Sequence, residues 1–84
     1  MQPELAFLAN RIKQLRIAKR VSQEKLAAQA GLSRNGMGLI EQGKRWPRLA
    51  TLLRISQALD TTVEDVLKGI QASGRKQRPT RKRP

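Results

Sequence analysis

The 84-residue chain is long enough for one small domain, whose core must rely on good packing or oligomerisation. With no cysteine and no histidine it has no disulfide framework, no thiolate metal site and none of the common nucleophile–base pairs. Its net charge of +12 points to a polyanionic partner, because each neutralised phosphate releases condensed counterions.

The first helix is expected over Glu4 to Arg20. Leu5, Leu8, Ile12 and Leu15, with Ala18 or Lys19, recur at spacings of three and four. Glu4 suits the positive end of its dipole, and Lys19 and Arg20 the negative end. Pro3 is tolerated ahead of the helix or in its first turn.

The second and third helices carry most of the information. Ser22 caps a helix over Gln23 to Ala30, which buries Leu26, Ala27 and Ala30. Gly31 ends it, where a positive φ is easiest for glycine. Ser33 caps a third helix over Arg34 to Gln42, closed by Gly43. Two short helices joined by such a turn have the form of a helix-turn-helix, whose second helix enters the DNA major groove.

At about 100° per residue, Met37 and Ile40 fall on one side of the third helix, with Leu32 entering just before them. Arg34, Asn35, Gly38 and Gln42 fall on the other. A merely solvated face favours Glu, Lys and Ala instead. Each glycine in the helix costs about 1 kcal/mol against alanine. Gly36 and Gly38 serve either tight helix packing or close approach to DNA. Gly38 shares the Arg34 and Asn35 side, which favours close approach there, whereas Gly36 sits at the edge and suits either. Arginine can pair bidentately with guanine O6 and N7, and asparagine with adenine N6 and N7. Arg34 and Asn35 are therefore candidate base readers, a phosphate contact being the alternative.

Lys44-Arg45-Trp46-Pro47 reads as a loop. Gln42, Lys44 and Arg45 flank the groove and are candidates for backbone phosphates. For Trp46 three readings stand: packing over the end of the core, anchoring a partner, or touching the DNA backbone. The first is preferred. A fourth helix is expected over Leu49 to Leu59, with Leu49, Leu52, Leu53, Ser56 and Leu59 on or near one face. Thr62 with Asp65 makes an acidic variant of the capping box for a short fifth helix, about Val63 to Lys68. Its apolar residues Val63, Val66, Leu67 and Ile70 exceed what a small core needs, so Leu59 to Ile70 is the expected dimer surface. The domain is expected to end near residue 72.

From Ser73 onward no side chain suits a core. Residues 73–84 read as a disordered basic tail with non-specific affinity for DNA, carried by Arg75, Lys76, Arg78, Arg81, Lys82 and Arg83. These six cations hold half of the net charge.

The run from about Ile12 to Leu67 resembles the Cro and lambda-repressor-like, or Xre-type, helix-turn-helix regulators. Five pieces carry the resemblance: Leu15-Arg16, Ser22-Gln23-Glu24-Lys25-Leu26-Ala27, Ala30-Gly31-Leu32-Ser33, Ile40-Glu41-Gln42-Gly43 and Leu52-Leu53-Arg54-Ile55. The resemblance implies an all-α, compact five-helix bundle, working as a homodimer on a two-fold symmetric operator in double-stranded DNA. It implies that Gln23 touches a phosphate and braces a third-helix side chain, and that Arg16 and Glu41 form an ion pair between the first and third helices. Two residues depart from the family pattern. Trp46 replaces a small polar residue before the proline, and Arg48 replaces the serine or threonine that often caps the next helix.

Enzyme chemistry has little support. The six acids are scattered, and the adjacent Glu64 and Asp65 diverge by about 100° on a helix. No cofactor or metal is expected. No apolar stretch approaches the ~20 residues of a membrane span, and the N-terminus has no secretory pattern, so a cytoplasmic protein is expected. Two rival functions remain: an antitoxin-type module that neutralises a toxin, and a sequence-neutral nucleoid binder. A protein partner such as a toxin or RNA polymerase is left open.

Overall fold

Pro3 occupies the first position of α1, where its missing N–H breaks no helical bond, and the helix runs over Pro3–Ala18. The computed structural model describes residues 2–70. Four further helices follow: α2 (Gln23–Ala30), α3 (Arg34–Glu41), α4 (Leu49–Ala58) and α5 (Val63–Leu67). The described residues contain no strand. The expected five-helix, all-α architecture is therefore present, and helix ends differ from expectation by two residues at most. The expected tail, residues 73–84, lies outside the described residues.

The caps explain where helices start. Ser22 Oγ accepts the Lys25 N–H at 3.0 Å, Ser33 Oγ the Gly36 N–H at 2.9 Å, and Thr62 Oγ1 the Asp65 N–H at 3.1 Å. Gly31 ends α2 at φ 75°, and the turn is sealed by the Leu32 N–H donating to Ala27 O at 2.8 Å. Arg20 and Asp60 also adopt positive φ, 59° and 58°, in the turns that close α1 and α4. Aspartate tolerates that conformation well, arginine less so.

Arg48 stands at the N-cap of α4 with extended backbone, φ −70° and ψ 159°, but its side chain makes no cap hydrogen bond. It has no acceptor to offer, and it brings a cation to the positive end of the helix. Arg48→Ser should therefore raise unfolding free energy by roughly 0.5–1 kcal/mol in urea denaturation. An unchanged midpoint would show that water already satisfies the first turn of α4.

The core collects one stripe from each helix. Leu8 and Ile12 of α1, Leu26, Ala27 and Ala30 of α2, Met37 and Ile40 of α3, Leu52 and Ile55 of α4, then Leu59 and Val66, form one buried cluster. Two expectations need correcting. Leu49 and Leu53 face solvent at 69% and 46% exposure, while Ile55 takes the inward position. Val66 is wholly buried, and Val63, Leu67 and Ile70 pack against the core. Val66 is therefore not available to a second chain, whereas Val63, Leu67 and Ile70 stay partly exposed.

Long-range polar contacts lock the bundle. The Arg11 guanidinium donates from Nη2 to Asp65 O at 2.9 Å, tying α1 to α5. Phe7 stands beside Gly69, whose φ is 86°. The Trp46 indole N–H donates to Gln2 Oε1 at 2.7 Å, joining the loop before α4 to the start of α1.

Candidate nucleic-acid interface

α3 owes its position to an ion pair beneath it. Arg16 grips Glu41 with two parallel bonds, Nε to Oε2 at 2.7 Å and Nη2 to Oε1 at 3.1 Å. The Arg16 side chain is 14% exposed and that of Glu41 3%. Arg16 Nη1 also donates to Val21 O at 2.9 Å, so one guanidinium fixes the end of α1, the turn into α2 and the last turn of α3. The expected link between the first and third helices is present. Such fork-to-fork geometry adds direction as well as attraction.

Gln23 opens α2 and donates from Nε2 to Glu41 Oε1 at 3.2 Å. This is the bracing of a third-helix side chain that the family resemblance implies. With its nitrogen held inward, the amide oxygen lies over Gly38. A Cβ placed on Gly38 would stand 3.7 Å from Gln23 Oε1 and 3.7 Å from Gln42 Nε2. An acceptor from α2 and a donor from the end of α3 thus flank the glycine, which is buried beneath them.

The two glycines of α3 part company here. A Cβ on Gly36 would sit 3.2 Å from Ser33 Oγ, the atom that caps the helix. Local packing accounts for Gly36. Around Gly38 there is room for a methyl group at ordinary van der Waals distance, so intramolecular packing does not account for it. Gly38→Ala should stabilise the fold by about 1 kcal/mol. If DNA approaches this surface closely, the same methyl should weaken cognate binding by about 1–3 kcal/mol, the usual penalty of overpacking a fitted contact. Thermal unfolding and a binding titration on one preparation check both signs. A stabilised protein with unaltered affinity would remove Gly38 from the interface.

Arg34, Asn35 and Gln42 are exposed, on the side of α3 away from Met37 and Ile40. Gln42 is the C-cap residue of α3 and not its last helical residue. Lys44 and Arg45 follow, both exposed. Arg45 folds back beside the first turn of α3, its Nη1 4.0 Å from the Cβ position of Gly36. Trp46, 44% exposed, only partly covers the end of the core. With Leu32, Ile40, Pro47 and Thr51 it lines a cleft of about 450 Å³, whose rim carries Arg45 and Arg48. In the sequence Arg48 reads only as a poor cap. Its place on this rim adds a third cation to Lys44 and Arg45, and the only signal is its charge close after theirs in the chain.

The surface is thus a short, rigidly seated helix with polar groups outward, flanked by cations. Among the described residues no group of three or more acidic side chains converges as a metal site, and no helix is long and apolar enough to cross a membrane.

Known proteins share this sequence pattern and fold. The helix-turn-helix family model HTH_3 matches residues 12–66. The SPbeta prophage-derived HTH-type transcriptional regulator YonR of Bacillus subtilis is 39% identical over 66 residues, covering 79% of this chain and 61% of YonR. The chain thus spans about three-fifths of that relative's length. Control protein C.SmaI of Serratia marcescens is 37% identical over 61 residues, 73% of each chain. Among solved structures, the restriction-modification controller protein C.AhdI from Aeromonas hydrophila superposes with a TM-score of 0.71 at 37% identity, covering 74% of this chain and 94% of that one. The match across the core of the chain, the agreement of helix order and these regulators as relatives make it a member of the Cro and lambda-repressor-like helix-turn-helix family of DNA-binding transcriptional regulators.

Proposed function

We propose that this chain is a sequence-specific transcriptional regulator that binds a two-fold symmetric operator as a homodimer. The observation that supports it most is the outward side of α3. Arg34, Asn35 and Gln42 project from a helix whose opposite side is buried and whose end is held by the Arg16–Glu41 pair. Rigid support of this kind suits groove reading, which needs donors and acceptors held in fixed positions.

In this reading α3 lies in the major groove. Arg34 and Asn35 touch base edges, Gly38 allows close approach, and Gln23, Gln42, Lys44 and Arg45 hold phosphates on either side. The N-terminus of α2 adds its dipole to the Gln23 contact. Two subunits on one face of B-DNA place their half-sites about 10 base pairs apart, centre to centre.

Selection of bound sequences from random DNA with the full-length protein tests the proposal. The expected product is an inverted repeat with that spacing. Recovery of unrelated sequences with no common half-site would replace it with sequence-neutral binding.

The run from Arg75 to Arg83 holds six cations among nine residues, and the proposal gives it phosphate contacts only. Deleting residues 75–84 should weaken binding to cognate and scrambled duplexes by a similar factor. It should also flatten the log–log salt dependence by roughly 0.9 for each phosphate that a subunit no longer neutralises. A larger loss on A·T-rich flanks would instead indicate a minor-groove arm. Titrations of both proteins at several salt concentrations separate these outcomes, and an unchanged slope would free the segment from DNA altogether.

A further inference from the structure

We infer that the outward side of α4, centred on Leu53, is the contact between two copies of this chain, packed antiparallel about a two-fold axis; this rests on the homodimer reading above. On a helical wheel, Leu49, Leu53, Gln57 and Ala50 occupy one contiguous arc, with Arg54 at its edge. All five are exposed. Leu52, Ile55, Ser56 and Leu59 occupy the opposite, buried arc. A solvated arc normally carries charges on most of its positions. This one carries a single charge and two leucines, at 69% and 46% exposure.

Charge selects a second copy as the occupant. Three of the six acids, Asp60, Glu64 and Asp65, follow the C-terminal end of α4, whereas Arg45 and Arg48 precede its N-terminal end. Among the described residues the ion pairs are Arg16–Glu41 and the exposed Lys19–Asp60 at 3.6 Å, so Arg45, Arg48 and Glu64 enter none. With the axis at Leu53, residues equally far before and after it face each other. Leu49 then meets Gln57 of the second copy, and Arg48 meets the second copy's Ala58, with Asp60 just beyond. The basic end of each α4 lies against the acidic end of the other, and the two helix dipoles oppose. A parallel arrangement would set like charges together.

A ten-residue helix is only about 15 Å long. One such face, even with Trp46 and Pro47 at its edge, buries less than a standard interface of about 1,600 Å². The dimer is therefore expected to be weak and concentration-dependent, with dissociation on the order of micromolar.

Sedimentation equilibrium of the full chain, alone and as Leu53→Glu, tests the assignment. The wild type should associate, and Leu53→Glu should weaken association at least tenfold while keeping its helical circular dichroism. Because the chain has no cysteine, Leu53→Cys gives a second, independent readout. Oxidation should link two copies through a position lying on the axis, whereas Ile17→Cys, exposed on α1, should stay unlinked. If Leu53→Glu fails to fold, the cysteine pair decides. A wild type that stays monomeric at several hundred micromolar would overturn the homodimer reading itself. A dimer that tolerates Leu53→Glu and does not link through Leu53→Cys would overturn this assignment alone, and would return the contact to Val63, Leu67 and Ile70.

Discussion

Glu41→Ala is expected to cost about 3 kcal/mol of stability, the largest effect of any single polar substitution in this protein. The carboxylate is almost entirely buried and accepts from both Arg16 and Gln23. Its removal leaves a desolvated guanidinium with only Val21 O as partner. A small domain is stable by about 5–15 kcal/mol in total, so the loss is a large fraction of the whole. Urea denaturation of Glu41→Ala, and of the double variant Arg16→Met/Glu41→Leu, checks the cause. The double variant should recover much of the loss, because no unpaired charge remains. A cost below about 1 kcal/mol for Glu41→Ala would show the pair behaving as a solvent-exposed one. Gln23 would lose its fixed orientation in either variant, so stability and DNA affinity should fall out of proportion in the double variant. Its fold recovers while its Gln23 does not.

Arg34→Ala and Asn35→Ala are expected to act the other way round, on recognition without the fold. Both side chains are exposed and neither belongs to the core cluster, so unfolding midpoints should hardly move. On the cognate site each should cost about 1–3 kcal/mol, roughly five- to 150-fold in affinity. On scrambled DNA Asn35→Ala should cost little if the proposed contact is to a base edge, because such a contact carries sequence information only. Arg34→Ala should cost somewhat more there, because a cation near the phosphates is removed. Competition titrations with cognate and scrambled duplexes give the ratio directly. An unchanged ratio for either variant would make that residue a phosphate contact.

Much of this was legible in the chain because it is governed by local chemistry. Ser22, Ser33 and Thr62 cap helices three residues or fewer downstream, and Gly31 needs only its own φ. Met37 and Ile40 lie inward because no other period fits α3. The Arg16–Glu41 pair was implied only by family resemblance, since its partners lie 25 residues apart. α4 was harder. Leu49, Leu52, Leu53, Ile55, Ser56 and Leu59 allow two apolar stripes about a third of a turn apart, and only the packing of α2 against α4 chooses between them. The pattern favoured Leu49 and Leu53, and the fold chose Ile55. Val66 showed the opposite limit. Its apolar character was plain, but whether so short a helix places it inside or outside depends on how α1 receives it. Contacts such as Arg11 to Asp65 O and Trp46 to Gln2 leave no local trace, because they join residues 54 and 44 positions apart.

Trp46 makes the protein its own reporter. It is the single tryptophan of a chain without tyrosine, so emission excited at wavelengths too long for Phe7 to absorb reports this one indole. The ring sits where the start of α1, the exit of α3 and the entry to α4 meet, and its N–H is engaged by Gln2. Breaking that bond on unfolding changes the polarity around the indole. A phosphate arriving at Arg45 or Arg48, on the rim of the same cleft, changes the local field without unfolding anything. Wavelength and intensity of one intrinsic fluorophore can therefore separate melting of the bundle from engagement of its basic loop, with no label attached.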